Sequence, residues 1–328
     1  MTPIRLLALA TALLLSCGVC VAADPTDAER TAAVRRTAVG NLLCSPRLLG
    51  AYYWEIGRSE GAVASGKVSA WGEPDAVDAD TQMSIASASK WVYAAMVIER
   101  DGDVPAARRH LNLTSGYSNF RTSNCPVDGT VAQCDPGSRS FSEAIGRVFH
   151  YDGGHMQRHA IDTGLGPLDA SGLTAQLASV LGAANGMTYV QPGLAGGIAT
   201  SARQFGAFLR RLLTDAAAPL QIGALLGSNP VCTMPDGSCN ASRLTAIPEA
   251  WHYSLGHWIE DDPATTPTEN FAFSSPGSFG FYPWIDATRT TYGMLARQTK
   301  AFTGADEGYA SVKCGRLLRL AWITGVAQ

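Results

Sequence analysis

Two β-like runs near the start of the chain, 49–56 and 62–71, are far in sequence from three more near its end, 271–275, 280–285 and 292–298. Between them lies a long stretch whose apolar spacing reads as helix and loop, with helices near 138–149, 154–161, 171–182 and 201–213. A few short strands cannot bury a sheet face alone, so the terminal segments must meet in one antiparallel sheet. Amphipathic helices at 28–45 and 307–320 flank that sheet, and the middle becomes an inserted helical lobe. The expected class is therefore α+β, with a discontinuous α/β lobe over 24–98 plus 265–328 and a mainly helical lobe over 99–264.

Residues 1–23 carry one positive charge at Arg5, an apolar segment and the small-residue ending Val21-Ala22-Ala23, the pattern of a secretory signal peptide. A competing reading is Leu14-Leu15-Ser16-Cys17, which is similar to a bacterial lipoprotein cleavage site and would anchor the chain at Cys17. No later run is long and apolar enough to span a membrane. Export to a bacterial periplasm is the expectation. After processing, Cys44, Cys125, Cys134, Cys232, Cys239 and Cys314 remain, and an even count in an exported chain favours disulfides. Segments 125–134 and 232–239 each enclose a turn signal, so local pairing is economical. Cys44 is then left for Cys314, tying the first helix to the last. Closing a loop that long stabilises by about 5 kcal/mol in the chain-entropy model.

A formal net charge of −3 with interspersed signs gives no basic stripe, which argues against nucleic acid as a partner. There is no linker or repeat, and a monomer acting on a small molecule is expected.

Chemistry concentrates at Ser87-Ala-Ser-Lys90. A serine hydroxyl attacks a carbonyl at neutral pH only when a neighbour takes its proton, and residues i and i+3 share a helix face. An amine withdrawn from water gives up its proton more readily, which makes Lys90 the candidate base. The chain has only Lys67, Lys90, Lys300 and Lys313, and arginine stays protonated. The apolar run 91–98 that follows reads as a buried helix with the pair at its amino end, where backbone N–H groups favour developing negative charge.

Several motifs in order resemble the serine β-lactamases and penicillin-binding D-alanyl-D-alanine peptidases with their esterase relatives, especially the class C-like branch. Segment 80–90 is similar to the first motif and Leu113-Thr-Ser-Gly116 to the loop after it. Gly193-Leu-Ala-Gly-Gly-Ile198, with the segment 200–208, resembles a turn and helix of the central lobe. The resemblance implies that Ser87 is acylated and that Lys90 activates it. It also implies a second-motif tyrosine, for which Tyr151-Asp-Gly153 and Tyr117-Ser-Asn119 compete. Tyr151 is better placed, with Gly153 where the family has Asn. The third motif falls at Ser275-Pro-Gly-Ser278, and the backbone N–H groups of Ser87 and Ser278 are implied as the oxyanion hole. Ser275, Gly277, Gly153 and Asn119 become candidate substrate contacts, Gly277 because substrate backbone must come close.

The family's third-motif cation is missing, and only Arg289 or Arg297 is near enough in sequence to replace it. Its loss disfavours carboxylated β-lactams and D-alanyl peptides relative to neutral esters or small amides. A secreted serine acyl hydrolase without cofactor is expected, the alternatives being a β-lactamase or D-alanyl carboxypeptidase, or a weakly catalytic peptidoglycan-binding protein. His155 and His159, one helical turn apart with Asp152 or Asp162 nearby, have metal-binding spacing. Met156 stands where zinc peptidases carry their glutamate, so no metal is expected. Aromatic residues crowd 251–284, and one or two could line an apolar acyl pocket.

Overall fold

The computed structural model describes residues 23–72, 77–121, 125–126, 128–135, 141–143, 146, 148–183, 186–235, 244–265, 268–299 and 305–328. The proposed signal segment, apart from Ala23, and Cys239 lie outside the described residues, as does much of the expected helix 138–149.

Helix α1 (Asp27–Gly40) starts at a capping box in which Thr26 and Glu29 satisfy each other's backbone N–H groups. It stops short of the expected end at 45. Asn41 turns extended and its side chain accepts from Leu43 N, starting a short 3-10 turn, and α2 (Pro46–Leu49) then begins on Pro46. Strands β1 (Tyr52–Arg58) and β2 (Gly61–Val68) form a hairpin. The chain then enters the middle segment through β3 (Met83–Ser84), α3 (Ser89–Asp101), α4 (Pro105–Leu111), α5 (Gly154–Ala160) and α6 (Ala170–Leu181). It continues through β4 (Thr188–Tyr189), β5 (Ile198–Thr200), α7 (Ala202–Arg210), α8 (Gln221–Ala224), β6 (Val231–Cys232), β7 (His252–Ser254) and β8 (His257–Ile259). Strands β9 (Ala272–Ser274), β10 (Tyr282–Asp286) and β11 (Tyr292–Ala296) precede α9 (Ala305–Thr324).

Both ends of the chain do build one antiparallel sheet, in the order β2-β1-β11-β10-β9-β8-β7-β6, with β1 joined to β11 through pairs such as Trp54 with Leu295. The expected lobe boundary at 264 needs correcting for the strands, because β6, β7 and β8 extend this sheet from the middle of the chain. Their aromatic residues supply the reason: Tyr253 and Trp258 are buried against Phe149 and Tyr151, which only a sheet continued over the helical lobe can cover. A small second sheet, β3-β5-β4, joins Met83–Ser84 to the middle segment.

Helices α1 and α9 pack together beside the sheet. Arg30 donates to the carbonyls of Trp322 and Ile323 at the end of α9, and the Cys44–Cys314 disulfide links the same two terminal regions. Cys125 pairs with Cys134 as expected, and Cys232 is also disulfide-bonded. Helix α3 is buried at every position from 89 to 98, as an all-round apolar helix must be. The β7–β8 turn rests on it. Gly256, at φ +81°, lies so close that a Cβ there would meet the Lys90 carbonyl oxygen at 2.5 Å. The outer strands thereby fix the height of the helix that begins at the Ser-Lys pair. Among the described residues, no helix is long and apolar enough to cross a membrane.

Candidate active site

Ser87 sits where a strand turns into a helix. Ile85 is held on β5 by donating to the Ile198 carbonyl, and Ala86 adopts φ +45°, a left-handed conformation that costs a residue with a Cβ about 1 kcal/mol or more. This sharp turn leads through a 3-10 turn into α3 and leaves Ser87 lining the cavities described below. Lys90 follows on the same face. Its Nζ lies 3.0 Å from Ser87 Oγ and donates to the Ala195 carbonyl at 3.1 Å. It stands 4.6 Å from the centroid of the Tyr151 ring, and only 4 % of the residue is exposed. Ser89 supports the arrangement from behind, its Oγ accepting from Ile198 N.

Tyr151 enters from the loop before α5. Its N–H donates to the Leu244 carbonyl, and its ring stacks on Trp258 at 5.3 Å. Asp152 does not face a substrate as a free acid. Its Oδ1 accepts from Phe120 N and Gly154 N, closing the start of α5 and tying it to the Phe120 loop. Gly153 packs where a Cβ would meet the Phe120 ring at 2.9 Å, so Phe120 takes the space beside it. The competing Tyr117 stacks instead on His110, packs at a tilt against Phe141, and lines neither cavity beside Ser87. Asn119, expected as a substrate contact, lies apart from the site. It is exposed at φ +76°, a turn position that asparagine tolerates, and lines neither cavity.

Segment 275–281 forms the connection from β9 to β10. Gly277 N donates to Phe281 O, and Gly280 N donates to Gly277 O. Ser275 Oγ donates to the Ser87 carbonyl at 3.4 Å, so it braces the Ser87 backbone. The structure gives a different reason for glycine at 277 from close approach of substrate. A Cβ there would fall 2.0 Å from the Ile85 carbonyl oxygen, so the turn packs against the backbone that leads into Ser87. Gly308 at the start of α9 supports the other side, 2.9 Å from the Gly277 oxygen by the same measure. Ser278 lines both cavities with Ser87, and among the described residues neither N–H of this pair has a protein acceptor.

Neither candidate arginine replaces the missing cation. Arg297 is buried and spends its guanidinium on Ser311, the Leu49 carbonyl and Glu307. Arg289 lies over Phe273 and donates to carbonyls at 223–226, away from Ser87. The two histidines of the metal-like pair are also engaged. His155 accepts from Ser115 at Nδ1 and lies 3.0 Å from the His150 carbonyl through Nε2, while His159 Nδ1 meets the Tyr93 hydroxyl. Burial pushes His155 down to about 3 and His159 to about 4, which keeps both rings neutral. Asp162 pairs with Arg158, and no cluster able to hold a metal is present among the described residues.

Two cavities meet at Ser87, Tyr151 and Ser278. The larger, about 710 Å³, includes Lys90, Asp152, Gln191 and the Gly193–Gly196 turn. The smaller, about 220 Å³, is walled by residues 244–247, Trp258 and Pro276 and is almost wholly apolar. Phe120, Gln191, Ala195 and 244–247 were not singled out as site residues from the sequence, whereas Trp258 is one of the aromatic residues at 251–284 from which an acyl-pocket wall was expected. The Gly193–Gly196 turn was visible there as a motif, but nothing in the letters showed that the Ala195 carbonyl would receive the lysine.

No family model matches the chain, and no curated protein matches its sequence. Solved structures do. A β-lactamase/D-alanine carboxypeptidase from Yersinia pestis aligns with TM-score 0.63 at 11 % identity, over 90 % of this chain and 99 % of that one. A D-amino acid amidase from Ochrobactrum anthropi, complexed with L-phenylalanine, gives 0.59 at 15 % identity over 89 % and 98 %. A hydrolase with promiscuous acyltransferase activity gives 0.59 at 13 % identity over 90 % and 98 %. Near-complete coverage in both directions at these TM-scores means that this chain has the fold of the serine β-lactamase and transpeptidase superfamily.

Proposed function

We propose that this protein is an exported serine acyl hydrolase that acts on neutral esters or small amides through an acyl-enzyme on Ser87. The observation that carries the proposal is the 3.0 Å contact between Ser87 Oγ and the buried Lys90 Nζ. Ser87 Oγ attacks the substrate carbonyl as its proton passes to Lys90 Nζ. The backbone N–H groups of Ser87 and Ser278 receive the resulting oxyanion, each contributing roughly 3 kcal/mol. Collapse expels the alcohol or amine, which takes a proton relayed by Tyr151. Water then attacks the acyl-serine, Lys90 or Tyr151 takes its proton, and the acid departs as Ser87 regains its hydrogen.

Among the described residues Lys90 is the only cation lining either cavity, and it already serves Ser87 and Ala195. A substrate carboxylate therefore finds no second positive partner among the described residues, which favours neutral esters and amides over penicillins and D-alanyl peptides. The amidase likeness is consistent with a small amide, and the paired cysteines support an oxidising compartment such as the periplasm.

Intact-mass measurement tests the proposal, with the protein and its Ser87→Ala variant quenched within seconds of mixing with an activated short ester and a penicillin. The expected result is an ester-sized adduct on the unaltered protein alone. A penicillin adduct instead would restore the β-lactamase or peptidase reading. Absence of any adduct or turnover would leave a binding protein.

A further inference from the structure

The two cavities that meet at Ser87 differ in chemistry, and that difference selects a substrate. We infer that the smaller cavity is an acyl pocket, and that preferred substrates carry an uncharged apolar acyl group of roughly six to nine carbon atoms. The inference rests on acylation at Ser87 as proposed above and adds the identity of the group that is transferred.

Deacylation decides which group lies where. The hydrolytic water must approach the acyl carbonyl from the side the leaving group vacates, and it must find a base there. Tyr151 lines both cavities, but Lys90 lines only the larger one, where the Gln191 amide adds a polar wall, so leaving group and water belong on that side. The smaller cavity offers water little. Its walls are Leu244, Ala246, Ile247, Trp258 and Pro276, and Thr245 spends its hydroxyl on the Ile247 carbonyl. The group that stays on Ser87 during the second half of the reaction is the one that fits there.

Size follows from volume. A dry apolar cavity of about 150 Å³ holds benzene, so about 220 Å³ accommodates roughly nine carbon atoms. The walls are fixed in advance. Tyr151 N holds the Leu244 carbonyl at 3.0 Å, and Tyr151 stacks on Trp258. Just beyond Ile247, the buried Glu249 is gripped by Arg316 and the Tyr309 hydroxyl of α9. A preformed pocket gives up little binding energy to ordering.

The test is a series of p-nitrophenyl esters from acetyl to dodecanoyl, with kcat/KM measured for the unaltered protein and for Ala246→Phe. The expected result is a rise approaching fourfold per methylene up to an optimum at hexanoyl to nonanoyl, then a fall. The ring of Ala246→Phe occupies most of the pocket and should move the optimum to butanoyl or shorter. Circular dichroism and melting verify that this variant is folded, and the series on the unaltered protein stands without it. Acylation of Ser87 with rates indifferent to chain length would overturn the inference while leaving the acyl-serine reading intact. An optimum unmoved in folded Ala246→Phe would overturn it too. If no ester acylates Ser87, both fall.

Discussion

Gly277→Ala separates two explanations of the same residue. If glycine is there to admit substrate, the variant should fold normally and bind poorly. The structure places the added Cβ 2.0 Å from the Ile85 carbonyl oxygen, where ordinary contact begins at 3.4 Å. The partner is backbone, so the two segments must part by about 1.4 Å. Overpacking of this kind costs about 1–3 kcal/mol. At roughly 1.5–2 °C per kcal/mol for a chain of this size, Tm should fall by about 2–6 °C. Ile85 is two residues from Ser87, and the displaced turn carries Ser278, so one expected oxyanion donor moves relative to the nucleophile. A misplacement near 1 Å costs on the order of 100-fold in rate. Melting followed by circular dichroism and the rate of ester adduct formation should therefore fall together. Gly308→Ala, which meets the Gly277 oxygen at the milder 2.9 Å, should do the same to a smaller extent. An unchanged Tm in Gly277→Ala, with or without loss of activity, would refute the packing argument.

Three further outcomes follow from the same contacts. Lys90→Met should slow adduct formation by roughly 100- to 10,000-fold, the usual range for a general base, and acylation within tenfold of normal would remove Lys90 from that role. Arg319→Met strands Glu260, with which it forms an ion pair of full burial, and should cost about 3–5 kcal/mol in guanidinium unfolding; a loss below about 1 kcal/mol would show that Tyr282 and other partners suffice. Stability should also fall in mild acid. Burial holds His155 and His257 down to about 3 and His159 to about 4, whereas unfolded histidine takes its proton near pH 6.5. The unfolded chain therefore binds more protons below pH 6.5, and stability that is complete above that pH is lost as pH falls toward the folded values. Each ring contributes about 1.4 kcal/mol per unit, so roughly 3–4 kcal/mol should disappear between pH 7.5 and pH 5.5. An unfolding midpoint that does not move over that interval would contradict the burial of these rings.

What could be read from the letters divides by the range over which each feature is encoded. Ser87 and Lys90 are three residues apart, so helix geometry alone brings them together, and the apolar run after them declares the helix buried. The terminal strands and helices announce themselves by period, and Cys44 and Cys314 close the same ends. Strands β6 to β8 are too short for periodicity to distinguish them from loop, and their place in the sheet depends on what Trp258 and Tyr253 cover. Asn119 lies outside both cavities for the same reason in reverse. Its triplet has the right letters, but a left-handed backbone points the segment at solvent and gives the site Phe120 instead.

The missing cation is the deeper case, because three separate facts had to combine. Arg297 is close in sequence to the third motif, yet Gly280 at φ +106° brings the turn against its guanidinium, where a Cβ would lie 2.6 Å from Nε. Its donors are then taken by Ser311, Leu49 and Glu307, so the arginine supports the turn from behind and does not face the cavity. Arg289 is held at the far end of its hairpin by carbonyls. The described walls around Ser87 are left with one amine, already committed, and an apolar recess beside it. On the proposed function, selectivity for an uncharged substrate follows from how the scaffold uses its arginines. Restoring a free cation at the turn, as Ser275→Lys, should raise acylation by a carboxylated penicillin relative to a neutral ester. If that ratio stays constant while the variant remains folded, the absence of a cation is not what sets the preference.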